Sequence, residues 1–405
     1  MHDLFDPGPF DRMWDELLPL GRAPRTGGYR RFAWTATDHD LRAWFAAEAQ
    51  RRGLDLTTDR AGNQWAWWGS PDAGPAVAIG SHLDSVPDGG AFDGPLGVVS
   101  ALAAVDLLRA RGFSPSRPVV VANFGDEEGA RFGIACAGSR LITGALPADR
   151  ARALADADGV TMAQAMNRAG LDVEAVNADP ETLARIGCFV ELHVEQGRGL
   201  VDLGQPVAVG SAIWPHGRWR LDLAGEANHA GTTRLDDRND PMLAAARLVL
   251  AAREAAQRHS SVATVGKLAV VPNGVNAIPS AVTAWLDARG PAPDRVRALV
   301  AELAAVAGEQ GGSLAEESWT DETAFDPGLL GRLRAVLPAA PVLATGAGHD
   351  AGILANAGIP AAMLFVRNPT GISHSPAEHA ELADCHEGVR ALARVVAELA
   401  GPAPA

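Results

Sequence analysis

Cysteine is scarce in this 405-residue sequence: Cys136, Cys188 and Cys385 stand far apart and show no paired spacing. That excludes a disulfide framework or a cysteine-based zinc site and suits a reducing compartment. No apolar run approaches the roughly 20 residues that a membrane helix needs. No basic run of any length occurs, and the formal net charge is −14. Nucleic acid and anionic membranes both call for a basic footprint, so neither is expected as a partner. The opening residues, MHDLFDPGPF, are acidic and lack an apolar centre, which argues against a secretory leader. The expectation is a soluble, cytoplasmic protein. Internal repeats and low-complexity linkers are missing as well.

What is present is globular material. Apolar residues make up 47% and charged residues 21%, values that disfavour disorder. The length exceeds what one core fills and predicts two domains, one inserted in the other.

The chain is organised around GSHLDSVPDGGAFDGPLGVV, residues 80–99. A short apolar run, Ala76 to Ile79, leads into His82 and Asp84. A glycine-rich loop carries Asp93 at its far end, and a helix-like apolar segment, Leu96 to Leu108, follows. Strand ends in open α/β sheets are where ligands gather. A histidine there, with a carboxylate two residues on, is a device for aiming an imidazole at a metal.

Two further apolar strands repeat the arrangement. Pro118 to Phe124 ends in Gly125-Asp126-Glu127-Glu128-Gly129, and Cys188 to Val194 ends in His193, Glu195, Gln196 and Gly197. Helices are read at Asp11–Leu18, Asp40–Arg52 and from Ala148 to about Leu183, with a hairpin around Ala61-Gly62-Asn63. From about Val207 the pattern changes to strands within Ser211–Ala224 and Ala263–Asp287 and helices at Asp240–His259 and Pro293–Glu309. This β-α-β-β-α-like order predicts an α+β layer with two helices covering one antiparallel sheet. A helix after Asp326-Pro327-Gly328, the strand Ala361–Arg367 and the helix Leu382–Ala400 complete the chain. The expected fold class is α/β: a mostly parallel-sheet catalytic domain, residues 1–210 and 325–405, interrupted by a smaller domain, 211–324. The Pro-Ala tail is expected to fray.

His82, Asp93, Glu127, Glu128 and His193, joined by His374 of Ser373-His374-Ser375-Pro376, form one candidate constellation. These nitrogen and oxygen donors suit zinc, manganese or cobalt. Two carboxylates among five ligands leave a pair of divalent ions with net positive charge, which acidifies a water and draws an anionic substrate. Adjacent side chains in an extended segment point to opposite sides, so Glu127 and Glu128 serve one site only if the backbone bends near Gly125 or Gly129. Singly, each feature has a plainer reading: His-x-Asp as a satisfied core pair, Asp-Glu-Glu-Gly as a solvated turn, His374 as a helix cap. Their recurrence at successive strand ends favours the metal reading.

The motifs GSHLDSVPDGGAFDG, NFGDEEGARF, ELHVEQG, NHAGTT, NAIP followed by LDAR, GAGHDA and GISHSPAE resemble the metal-dependent M20 amidohydrolases. Within them they resemble the branch of N-carbamoyl-L-amino acid hydrolases, allantoate amidohydrolases and β-ureidopropionases. The resemblance implies that His82, Asp93 and His193 hold one metal and Asp93, Glu128 and His374 the other, with Asp93 as bridge. It makes Glu127 the general base and Asp84 the partner of His82. It implies two divalent cations per subunit, a homodimer, and a lid and dimerisation domain for the inserted segment, with hinges near residues 211 and 324. Catalytic His229 and substrate-binding Gln196, Arg218, Asn276, Arg289 and Gly371 come from the same resemblance. Arginines at 218 and 289 suit a substrate carboxylate. The amides of Asn276 and Gln196 suit a urea-like group, and His229 suits a developing oxyanion. Without the resemblance, His229 reads as a turn histidine and Arg289 as a surface charge.

The sequence departs from the family pattern at Trp214-Pro215-His216-Gly217-Arg218-Trp219, at Arg234-Leu235 after His-Ala-Gly-Thr-Thr, and at Val366-Arg367-Asn368-Pro369. All three are expected on or near the substrate pocket. The activity implied is hydrolysis of a carbamoyl or ureido C–N bond of a small carboxylate-bearing substrate. The rivals are an M20 aminoacylase or dipeptidase, a non-catalytic binding protein that keeps the fold, and a structural metal site. Intact Glu127 speaks against the binder, and structural zinc sites are usually closed and cysteine-rich.

Overall fold

Four parallel strands form the centre of the computed structural model, which describes residues 5–403. They lie in the order Val119–Phe124, Ala76–His82, Ile186–Val194 and Ala361–Val366. All four are buried along nearly their whole length, as expected of parallel strands covered on both faces. Val77, Ile79, Val121, Val190 and Leu192 pack in one cluster with the helices Pro95–Ala110 and Leu382–Ala400. The intervening residues Ala78, Val120, Ala122 and Phe189, equally buried, point to the opposite face. Antiparallel strands flank this centre, Asp55–Thr58 and Gln64–Trp68 on one side and Val207–Ile213 on the other. Among the described residues the sheet has nine strands. The fold is therefore α/β with a mostly parallel sheet.

Parallel alignment does the essential work, because it brings the C-terminal ends of four strands to one edge. The register pairs His82 with Phe124 and His193 with Phe365. The residues that follow those strands consequently emerge side by side.

The chain divides into two compact units. One comprises the residues up to Ser211 and those from Ala324 onward; the other is Ala212–Thr323. In the second unit the strands Ser313–Thr320, His216–Ala224, Ala281–Arg289 and Val262–Val271 form an antiparallel sheet in that order. Residues Val282, Ala284, Leu286 and Ala288 are buried with the helices Pro241–Arg258 and Pro293–Glu309, while the alternate residues of that strand remain partly exposed. A short ribbon pairs Asn228–His229 with Ala277–Ile278.

Several local expectations shift. The second helix begins at Ala36 instead of Asp40, because the Thr35 side chain caps it by accepting the Asp38 amide. The stretch read as helical from Ala148 to Leu183 is three short helices, Ala148–Ala153, Met162–Arg168 and Pro180–Ala184. The strand Ser313–Thr320 was not expected: its sequence SLAEESWT is polar because it is a largely exposed edge. Of the Pro-Ala tail, Pro402 forms a bridge with Pro115 and the Ala403 amide donates to Ser114; Pro404 and Ala405, like the first four residues, lie outside the described range. No helix among the described residues is long and apolar enough to cross a membrane.

Candidate metal centre

The shared strand edge assembles two groups of donors. One ligand atom from each of His82, Asp93 and His193 lies within 4.8 Å of the others, and the same holds for Asp93, Glu128 and His374. Asp93 belongs to both through different oxygens. Its Oδ1 is 3.1 Å from His193 Nε2 and 3.8 Å from His82 Nε2, while its Oδ2 is 3.4 Å from His374 Nε2. His374 Nε2 is also 3.7 Å from Glu128. The first group is buried throughout; in the second, the His374 side chain is 53% exposed.

Each strand-borne imidazole is aimed from behind. His193 Nδ1 is held by its neighbour's carbonyl, Val194 O, at 2.8 Å. His82 Nδ1 meets Asp84 through its carbonyl at 3.2 Å and its Oδ1 at 3.3 Å. Nδ1 then carries the proton in each neutral ring and Nε2 keeps a lone pair for a cation. Among the described residues, His82 Nε2, His193 Nε2 and Glu128 Oε1 are buried and make no hydrogen bond. Buried polar atoms without partners are costly, and each of these residues belongs to a group of gathered ligand atoms, so the donor set fits divalent cations. Gly94, with φ of +87°, lets the loop pass beside the His82 ring; a Cβ there would lie 2.4 Å from it.

The bend that brings Glu127 and Glu128 to one site is made by Asp126, with φ of +55°, and Gly129, with φ of +62°. Asp84 secures it. Its Oδ1 accepts the Glu127 amide at 3.1 Å and its Oδ2 the Glu128 amide at 3.0 Å. One carboxylate thus orients His82 and caps the acidic turn. Glu127 Oε2 lies 3.6 Å from His82 Nε2, and Glu127 Oε1 accepts the thiol of buried Cys136 at 3.2 Å.

Burial pushes the Glu127 carboxyl well above the usual carboxylate range, reinforced by Asp350 and Glu128 and opposed by His82. Glu128 moves the same way through burial and Asp93. Burial pulls His82 down, but Glu127 and Asp84 outweigh it and hold the imidazole well above its ordinary value. Burial also opposes ionisation of Asp93, yet His193, His82 and His374 keep its carboxyl below the usual range. Carboxyls that resist ionisation beside crowded imidazoles are the electrostatics of a site in which added positive charge is favourable.

Gln196 donates through Nε2 to Asp93 Oδ2 at 2.9 Å and to Ser373 Oγ at 3.0 Å. The Gly371 amide donates to Asn368 Oδ1. Glu195, also at a strand end, caps the turn at Gly199 and Leu200 instead of facing the donors. Arg367 is paired, its guanidinium gripping Asp384 through two contacts of 2.8 and 3.0 Å.

The second unit holds the remaining candidates. His229 Nδ1 accepts the Gly231 amide at 3.0 Å, which leaves Nε2 as the proton-bearing nitrogen, a donor. Asn276 adjoins it, since its carbonyl accepts the Ala230 amide. On the uncovered sheet face, Arg289 is held by Asp287 through Nε and Nη2 at 2.7 and 2.9 Å, and Arg218 Nε lies 3.6 Å from the same carboxylate. Register places His216 opposite Arg289 and Arg218 opposite Asp287.

Sequence reasoning assigned no role to Cys136, Asp287, His349 or Glu378. The last three lie in quoted motifs, LDAR, GAGHDA and GISHSPAE, so a signal existed; Cys136 carried none. His349 is 3% exposed, its ring centroid lies 4.5 Å from that of His193, and both its nitrogens lack a hydrogen-bond partner among the described residues. Burial and the neighbouring His193 hold it well below the ordinary histidine value, so it is neutral.

The model of the peptidase family M20/M25/M40 matches residues 78–398. The N-carbamoyl-L-amino acid amidohydrolase of Geobacillus stearothermophilus is 36% identical, aligned over 96% of this chain and 98% of its own. The allantoate amidohydrolase of Escherichia coli K12 is 33% identical over the same shares of each. The crystal structure of a hydantoinase/carbamoylase family amidase from Burkholderia ambifaria superposes with a TM-score of 0.84 at 31% identity, covering 99% of both chains. On matches that run nearly end to end, the chain belongs to the M20/M25/M40 peptidase family, within its amidohydrolase branch.

Proposed function

We propose that the protein hydrolyses the carbamoyl C–N bond of N-carbamoyl-L-amino acids, yielding the amino acid, carbon dioxide and ammonia. The observation that carries this reading is the convergence of His82, Asp93, Glu128, His193 and His374, with Glu127 Oε2 beside them at 3.6 Å from His82 Nε2. Two divalent cations held by those residues would polarise the carbamoyl carbonyl and make a water acidic enough to attack at neutral pH. Glu127, beside the donor group, takes the proton of that water and returns it to the departing amine. His229, with its proton on Nε2, donates to the oxygen as charge accumulates there. Arg289 and Arg218 hold the substrate carboxylate, while Asn276 and Gln196 serve the urea-like group; Gly371 shapes the loop that carries His374. The second unit acts as lid and dimerisation domain of a homodimer.

The carbamoyl substrate is supported by the relative at 36% identity, and allantoate is the alternative supported by the one at 33%. The cation-loaded protein should be assayed against N-carbamoyl-L-amino acids, allantoate, N-acetyl amino acids and dipeptides. Ammonia release from a carbamoyl amino acid is the expected result. Turnover of the acetyl or dipeptide substrates alone would move the protein to the aminoacylase side of the family.

A further inference from the structure

The two donor groups differ in how their ligands are secured. His82 and His193 stand on buried strands with Nδ1 fixed. His374 stands on a loop, in a left-handed backbone conformation with φ of +54°, and its side chain is half exposed. Such a ligand needs its chain held from both sides. On the N-terminal side buried Asn368 does this, accepting the Thr370 and Gly371 amides and donating to Ile372 O.

On the C-terminal side stands Glu378, 5% exposed. Its Oε1 accepts the backbone amides of both Phe92 and Asp93 at 2.9 Å. Its Oε2 lies 3.3 Å from Ser373 Oγ, which in turn lies 3.3 Å from Asp93 Oδ2. Gln196 closes the ring by donating to both Asp93 Oδ2 and Ser373 Oγ. The loop before Asp93 lies flush on the Glu378 carboxyl, and a Cβ on Gly90 would come within 2.3 Å of it. Glu378 therefore joins two segments nearly three hundred residues apart in sequence: the one that carries the shared carboxylate and the one that carries His374.

We propose that Glu378 is a positioning residue that ties Asp93 to the His374 loop and so sets how tightly the Asp93–Glu128–His374 group holds its cation. The proposal rests on the two-cation reading above. Outer partners of metal ligands typically govern affinity by about 10- to 100-fold. The larger effect should fall on the cation of the His374 group, because the first group shares only Asp93 with this ring while His82 and His193 stand outside it.

The test is calorimetric titration of the apo protein with Zn2+ or Mn2+, with elemental analysis after dialysis. Wild type should bind two cations per chain. Glu378→Leu should weaken the cation that His374→Ala loses by about 10- to 100-fold and the other by clearly less. Glu378→Gln keeps an acceptor for both amides and should hold the second cation within about threefold of wild type. Ser373→Ala should weaken the second cation alone and by less. If Glu378→Leu binds both cations as wild type does, or loses both equally, the positioning role is wrong. Should that variant fail to fold, Ser373→Ala decides, and unchanged affinity for the second cation overturns the proposal. A wild-type protein that binds fewer than two cations would instead sink the two-cation reading itself, and this proposal with it.

Discussion

In the first unit the candidate donors gather at the ends of strands buried on both faces, whereas in the second Arg218 and Arg289 lie on the open face of a sheet buried on one. The first arrangement fixes His82, His193 and Asp93 in a buried interior and leaves both imidazole Nε2 atoms without a hydrogen bond among the described residues. The second leaves Arg218 62% exposed and pairs Arg289 with Asp287 at the surface. Burial leaves donors that suit a cation, whereas the arginines of the second unit are already balanced by Asp287.

Substitutions should fall along that division. Asp93→Ala removes the carboxylate common to both groups, and elemental analysis should find both cations lost together with all turnover. Glu127→Gln should keep the cation content and lower kcat by about 10²- to 10⁴-fold; a variant with near-normal kcat would remove the base from the first region. Arg289→Lys exchanges a planar fork for a point charge. It should raise KM for the carboxylate-bearing substrate by about 10- to 100-fold, the worth of a charge-assisted hydrogen bond, and leave cation binding untouched. A fall in cation affinity with this variant would break the comparison.

Acidity offers a gentler probe of the same contrast. Ligands bind a cation only when deprotonated, and His82 and His193 are both held above the ordinary histidine value in the cation-free protein. Cation affinity should therefore fall as pH is lowered, by up to about tenfold per pH unit for each proton displaced. Calorimetry in two buffers of different ionisation enthalpy should reveal that proton release. The smallest effect is expected from Cys136→Ala, which deletes a weak thiol donor to Glu127 and should slow turnover only a few-fold, about the value of one neutral hydrogen bond.

The first region was the more legible in the sequence. Each buried strand is an apolar run that stops at glycine and a polar donor, so His82, Glu127, Glu128 and His193 announce themselves at strand ends. The turn at Asp126 was legible only as a requirement, since a left-handed aspartate leaves no compositional trace. Interactions between distant segments left less signal. Nothing local in Glu378 tells that it receives the amides of Phe92 and Asp93, and nothing local in Arg367 tells that it pairs with Asp384. In the second region alternation revealed the sheet and its helices but missed the polar strand Ser313–Thr320, and the roles of His229 and Arg289 rested on resemblance.

The sharing of Asp84 among His82, Glu127 and Glu128 carries a consequence for genetics. Because both of its oxygens receive main-chain amides of the acidic turn while one also meets an imidazole, no replacement at position 84 can be read as a fault in one function. A double-mutant cycle between His82 and Glu127 should show strong non-additivity with Asp84 present, and the coupling should shrink in an Asp84→Asn background. Variation anywhere in this triangle is therefore epistatic, and its three corners would have to change together or not at all.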